Sequence, residues 1–297
     1  MSDKPSLTVA APSLQRKLEG RALRSIALSG IVWFSALLAS VPLFSVLYML
    51  ITRGGARLSM EVLTELPPAG FEMGGGFGNA LLGTFFMVGI AALIAIPVGI
   101  MAAIFLAELG AGSKLANTAR FAAKTLTGLP SILAGVFAYA MVVLTTGGYS
   151  APAGGVALAV LMVPIVVLTA EEAMKMVPKI MKDAAYGMGC TRAQVIWKVV
   201  LPTGLPAIIT GVMLAVARAA GETAPLLFTA LFSNYWIVHE GDLAIMNPTA
   251  SLAVLIYNFS GMPFDNQIEL AWAASLVLVM IVLVVNVISR IIGKPKF

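Results

Sequence analysis

Residues Asp183 to Pro206 read DAAYGMGCTRAQVIWKVVLPTGLP, a polar stretch set between long apolar runs. Its order predicts a short helix, a tight turn and a second helix. Asp183, Ala184 and Ala185 belong to the first helix. Gly189 follows four residues after Ala185, where a left-handed residue commonly closes a helix. Thr191 followed by Gln194 has the spacing of a capping box opening the next helix. A hydrophobic run then reaches Leu201 and Pro202, with Pro206 beyond. The small side chains of Ala184 and Ala185 are expected to form a face that another protein approaches closely.

The surrounding chain belongs in a membrane. Of its 297 residues, 59% are hydrophobic and 11% charged, and the mean hydropathy is +0.95. Soluble domains carry about 25% charged residues. Six apolar runs approach the roughly 20 residues needed to cross a bilayer: 26–52, 77–107, 126–147, 153–170, 206–232 and 270–291. The chain therefore reads as an all-α polytopic membrane protein with six transmembrane helices. The first run is too long for the apolar core of a signal peptide and is read as a retained span.

Charge distribution orients the spans. The net charge is +5, and 16 of the 19 Lys and Arg residues fall on one side of a six-span chain. Only Arg53 and Arg57 fall on the other side, and Arg218 lies within a span. The positive-inside rule then makes both termini cytoplasmic. The resulting organisation is a cytoplasmic tail over 1–25, a membrane domain over 26–292 and a short cytoplasmic tail over 293–297. The 171–205 hairpin faces the cytoplasm. The 232–269 segment faces outward, lacks Lys and Arg, and carries Glu240, Asp242, Asp265 and Glu269. Within it, 247–259 is too short to span and is expected to form an amphipathic or re-entrant helix.

Several chemistries are disfavoured. The glycines at 74–78 follow no strand and precede no Gly-Lys-Ser/Thr, so they are no phosphate loop, and no complete Walker motif occurs. Cys190 is the single cysteine and His239 the single histidine, so neither a disulfide framework nor a His-rich metal site is available. No metal or cofactor is expected in this chain, and its basic charge is placed for a membrane rather than for nucleic acid. Trp33, Trp236 and Trp272 lie near span ends, as an aromatic belt places them.

Arg218 and Glu222 stand one helical turn apart in the fifth span, within VARAAGETAPL. A charge at the bilayer centre costs about 2.5–3.5 kcal/mol, so a lipid-facing place is unfavourable. Pro225 has no amide hydrogen to offer the carbonyl of Gly221, and Thr223 offers a replacement hydroxyl. The helix is thus expected to open beside its only intramembrane charges, as helices do around substrate sites. Two roles fit the pair: fixing helix register, or binding an anion at Arg218 while Glu222 holds the arginine in the empty state.

Four stretches together resemble one family. They are the 183–202 hairpin, GLPSI at 128–132, ARAAGETAPLLFTALF at 217–232, and IYNFSGMPFD with LAWAA before the last span. The hairpin resembles the EAA loop of ABC-importer permeases, with Asp183 where Glu is usual. The set, over about 77–292, resembles the A-type permeases of phosphate-specific (Pst) ABC importers. That resemblance implies a type I importer fold in the cell (inner) membrane and alternating access driven by partner subunits. It implies a second, C-type permease, two ATP-binding subunits that hold the ATP and Mg, and an extracytoplasmic phosphate-binding protein. It places Arg218 and Glu222 on the path of inorganic phosphate, and the helix break at Gly221, Thr223 and Pro225 puts those three residues at the same level of the path. Asp183, Ala184, Ala185, Gly189, Leu201 and Pro202 would form the ATPase-coupling element. A permease for molybdate or sulfate would share the hairpin but not the GETAPLLF run. An intramembrane enzyme would need a catalytic set that the spans lack.

Overall fold

The computed structural model describes residues 20–239 and 242–292, and the chain divides into two units, Met1–Met49 and Leu50–Phe297. The first contains helix α1 (Gly20–Met49), 30 residues with Pro42 inside it. At 1.5 Å per residue it is about 45 Å long. Its apolar side chains, Trp33 among them, are exposed, as suits a helix surrounded by lipid.

The principal helices of the second unit are α2 (Gly78–Ile104), α3 (Lys114–Thr127), α4 (Ser131–Ala138), α5 (Ala151–Lys175), α6 (Lys179–Gly187) and α7 (Arg192–Val195). They are followed by α8 (Leu201–Ala220), α9 (Ala224–Leu227), α10 (Leu252–Ser260) and α11 (Asp265–Ile292). A two-residue antiparallel pairing, Val238 with Leu243 and His239 with Asp242, is the only strand structure among the described residues. Five helical runs there are long and apolar enough to cross a membrane, or six if the bent pair of α3 and 131–146 counts as one span.

The core forms where α2, α5 and α8 meet. Met87, Ala91 and Ala95 of α2 pack with Leu158, Met162 and Val166 of α5 and with Ile208, Val212 and Ala215 of α8. Alanine recurs at these contacts because small side chains let membrane helices approach closely. At one end of the bundle, Glu171 is buried and receives Arg120 Nε at 2.8 Å and Lys175 Nζ at 2.5 Å. That ion cluster fastens α3 onto α5. At the other end, Asn266 Nδ2 donates to the carbonyls of Glu72 and Gly74, while Arg57 Nη2 donates to Asn266 Oδ1 at 3.0 Å. These bonds hold the Pro- and Gly-rich loop against α11.

Two expected spans and the external helix are corrected. The third span begins at Ser131, not 126, because Gly128 to Pro130 break the helix, and α3 meets the 131–146 run at 105°. Proline disfavours helical backbone at the residue before it. The fifth begins at Arg192 and stops at Ala220, rather than running from 206 to 232. Pro202 is carried by a π-helical turn at Ile196–Val200, a widened turn that accommodates such interruptions. The external helix occupies Leu252–Ser260 rather than 247–259: Pro248 disfavours helical backbone at Asn247, and the start is set by Ser251, whose side chain accepts the Val254 amide as the cap.

Candidate functional site

The helix α8 ends beside the charged pair, where sequence patterning placed the opening. The amides of Gly221 and Glu222 reach back to the carbonyls of Arg218 and Ala219 at 3.1 and 3.2 Å, a tightened last turn. Two non-helical residues follow Gly221 before α9 starts with Pro225 near its first position. Arg218 is half exposed, and its Nε meets Glu222 Oε1 at 3.4 Å across one helical turn. That separation is long for a charge-assisted bond. Among the described residues, the terminal guanidinium nitrogens of Arg218 make no hydrogen bond or ion pair, so its donor fork is available.

Thr223 does not supply the replacement hydroxyl expected of it. Its side chain caps nothing, and its carbonyl instead accepts from Leu226 and Leu227 at 3.1 and 3.3 Å. A hydroxyl engaged in this segment is that of fully buried Thr229, which donates to the Pro225 carbonyl at 2.9 Å and so steadies the turn after the proline without replacing the bond lost at Gly221. Thr229 sits four residues after the proline, a spacing visible in the sequence and overlooked there. Beyond it Leu231 takes φ 61, a left-handed conformation that costs a non-glycine residue about 1–2 kcal/mol.

A second missed residue is Gly135 on α4. A Cβ there would lie 2.6 Å from the Cα of Pro225 and 3.0 Å from its carbonyl oxygen. Only glycine lets α4 rest against the broken segment. The GLPSILAG run around it holds the sole clue in the sequence.

The hairpin forms as its sequence prescribes. The amide of Cys190 bonds the carbonyl of Ala185 at 3.1 Å and that of Gly189 bonds Tyr186 at 2.9 Å. With Gly189 at φ +82, this is a Schellman closure. Thr191 and Gln194 then exchange both bonds of a capping box. The expected two-alanine face is corrected. Ala184 is exposed, but Ala185 is 2% exposed and packs into the chain's own core. Successive helical residues point about 100° apart, and here one direction faces out while the other meets the core. Asp183 is exposed beside Ala184. Leu201 and Pro202 lie at the start of α8, away from the turn.

Arg192 and Arg218 lie on one helical run, so the hairpin and the charged pair stand about 39 Å apart along it. Asp183 and Ala184 are exposed at one end, and the helix is broken beside Arg218 at the other. No group of three potential metal ligands occurs among the described residues.

This architecture is that of a type I ABC importer permease. The chain belongs to the family of binding-protein-dependent transport system inner membrane components, which it matches over residues 95–294. It is 39% identical over 269 residues to the phosphate transport system permease protein PstA of Haemophilus influenzae, covering 90% of this chain and 93% of that protein. Among solved structures, a bacterial alginate ABC transporter matches with TM-score 0.60 at 15% identity, over 93% of this chain and 96% of that one. An inward-facing MetNI methionine ABC transporter matches with TM-score 0.56 at 20% identity, over 73% and 93%. At those identities the solved structures speak to the fold alone.

Proposed function

We propose that this chain is a permease subunit of an ATP-driven importer of inorganic phosphate, and that Arg218 meets the anion on its path. The observation that carries the site is the opened helix. A guanidinium with unused donors stands beside a helix break in a chain 39% identical to a phosphate permease. Guanidinium forks suit tetrahedral oxyanions. Glu222 lies within 3.4 Å on one side only, which moderates the attraction so that phosphate is released as well as bound. Gly221, Thr223 and Pro225 keep the helix open at this level, with Thr229 and Gly135 holding the segment in place.

In this reading both termini face the cytoplasm, the chain sits in the inner membrane, and the 77–292 core pairs with a second, C-type permease. An extracytoplasmic phosphate-binding protein delivers its ligand to the end formed by 50–77 and 233–270. Two ATP-binding subunits hold the nucleotide and Mg, and grip the 171–205 loop through exposed Asp183 and Ala184. Gly189 shapes the turn, and Ala185, Leu201 and Pro202 seat the loop on the spans. No cofactor is assigned to the chain itself.

The test is micromolar phosphate uptake in cells lacking the chain, restored with wild type or with Arg218→Gln, alongside sulfate and molybdate uptake. Wild type should restore phosphate uptake alone, and the variant should assemble yet fail to do so. Restoration of a different oxyanion would overturn the substrate. Normal uptake by Arg218→Gln would overturn the site.

A further inference from the structure

Glu108 closes α2 in an unusual position. It lies in a π-helical turn, Phe105–Leu109, that ends the second apolar run. Its carboxylate pairs with Lys182, and both side chains are largely buried, at 11% and 18% exposed. Its backbone carbonyl accepts from Arg192 Nη2, as does that of Leu109 at 3.1 Å. Carbonyls at a helix C-terminus have no partner within the helix, and a cation there also answers the helix dipole. Lys182 immediately precedes Asp183 on α6, and Arg192 opens α7. Both arms of the hairpin are therefore tied to the same turn of α2. Apolar packing reinforces the joint, because Ala185, Val195 and Ala103 share one buried cluster with Ala107 and Cys190 at its edge.

The opposite end of α2 is tied as firmly. Asn79 Nδ2 donates to the Ser233 carbonyl at 2.8 Å, and Thr84 Oγ1 accepts the Leu252 amide at 2.9 Å. Thr84 thus holds the start of α10. Glu108 and Thr84 are about 36 Å apart along one continuous helical run.

We infer that Glu108 is a positioning residue for transport. It fastens both arms of the hairpin to α2, so that α2 carries a displacement of the hairpin to α10 at the far end. This rests on the reading above only in taking that displacement from the ATP-binding subunits. A purely structural role predicts less assembled complex. A positioning role predicts normal assembly with less phosphate moved per ATP.

The experiment uses the whole complex in proteoliposomes with its loaded binding protein. Variants are Glu108→Gln, Lys182→Gln, and the reversal Glu108→Lys with Lys182→Glu. Each single variant should assemble and hydrolyse ATP while phosphate moved per ATP falls about 2- to 30-fold. The reversal should recover most of that loss. Wild-type ratios in both single variants, or a loss that follows the amount of assembled complex, would overturn the inference. If the wild-type complex moves no phosphate but hydrolyses ATP on meeting the binding protein, the substrate reading fails instead. The role of Glu108 is then read from that stimulated hydrolysis, which the single variants should lower and the reversal restore. Unchanged stimulation would overturn it.

Discussion

Replacing Gly135 with alanine adds one methyl group, and the structure states what it meets. Its ideal position is 2.6 Å from the Pro225 Cα and 3.0 Å from the Pro225 carbonyl oxygen. Carbon atoms pack best at about 3.5–4.0 Å, so α4 and the broken segment must separate by roughly 1 Å. The obstacle is backbone, with no flexible side chain to swing away. Overpacking of this kind costs about 1–3 kcal/mol. That disfavours the native fit by about 5- to 150-fold. The strain falls on a carbonyl already engaged by Thr229, three residues from Glu222. Phosphate uptake should therefore drop at matched levels of assembled complex. Gly89→Ala is the control, since among the described residues nothing beyond its own helix backbone lies within 4 Å of the added methyl, and it should transport normally. Equal uptake by Gly135→Ala and wild type would refute the argument.

Two further outcomes follow from the same reasoning. Gly189→Val should uncouple ATP hydrolysis from phosphate movement. The space around it is open, so the penalty is that of a β-branched residue at φ +82, at least about 1–2 kcal/mol. Tight coupling in the variant would show that the turn does not matter. Glu171→Gln should lower the thermal midpoint of the purified complex by removing the charge that Arg120 and Lys175 share. A loss of about 1–3 kcal/mol is expected, below that of a fully buried pair because Lys175 is half exposed. An unchanged midpoint would mean that α3 is held by packing alone.

The legible parts of the site were those decided within a few residues. Gly189, Thr191 and Gln194 form their turn and capping box through bonds at most five residues apart, so spacing alone announces them. Pro225 and Gly221 open α8 for the same local reason. Ala185 misled because burial depends on what packs against it, and here that is the core behind the hairpin. Thr223 misled because proximity to the proline does not fix where a hydroxyl points, and its side chain caps nothing. Gly135 and Glu108 were invisible as partners, since they meet segments about 90 and 74 residues away. The expected span started late, at 206, but the helical run extends from Arg192 through a π-helical turn at Ile196–Val200 and on past Pro202 and Pro206.

By itself the sequence determined that this protein lives in a bilayer, because apolar composition and run length set the free energy of burial in lipid whatever the packing. It likewise determined the hairpin's shape and the break beside Arg218, which hydrogen-bonding stereochemistry dictates locally. Only the tertiary structure decided which face of α6 is free, which glycine seats α4 on the broken helix, and which acid ties the hairpin to α2. Those choices depend on distances between residues far apart in the chain, and no local preference encodes such distances.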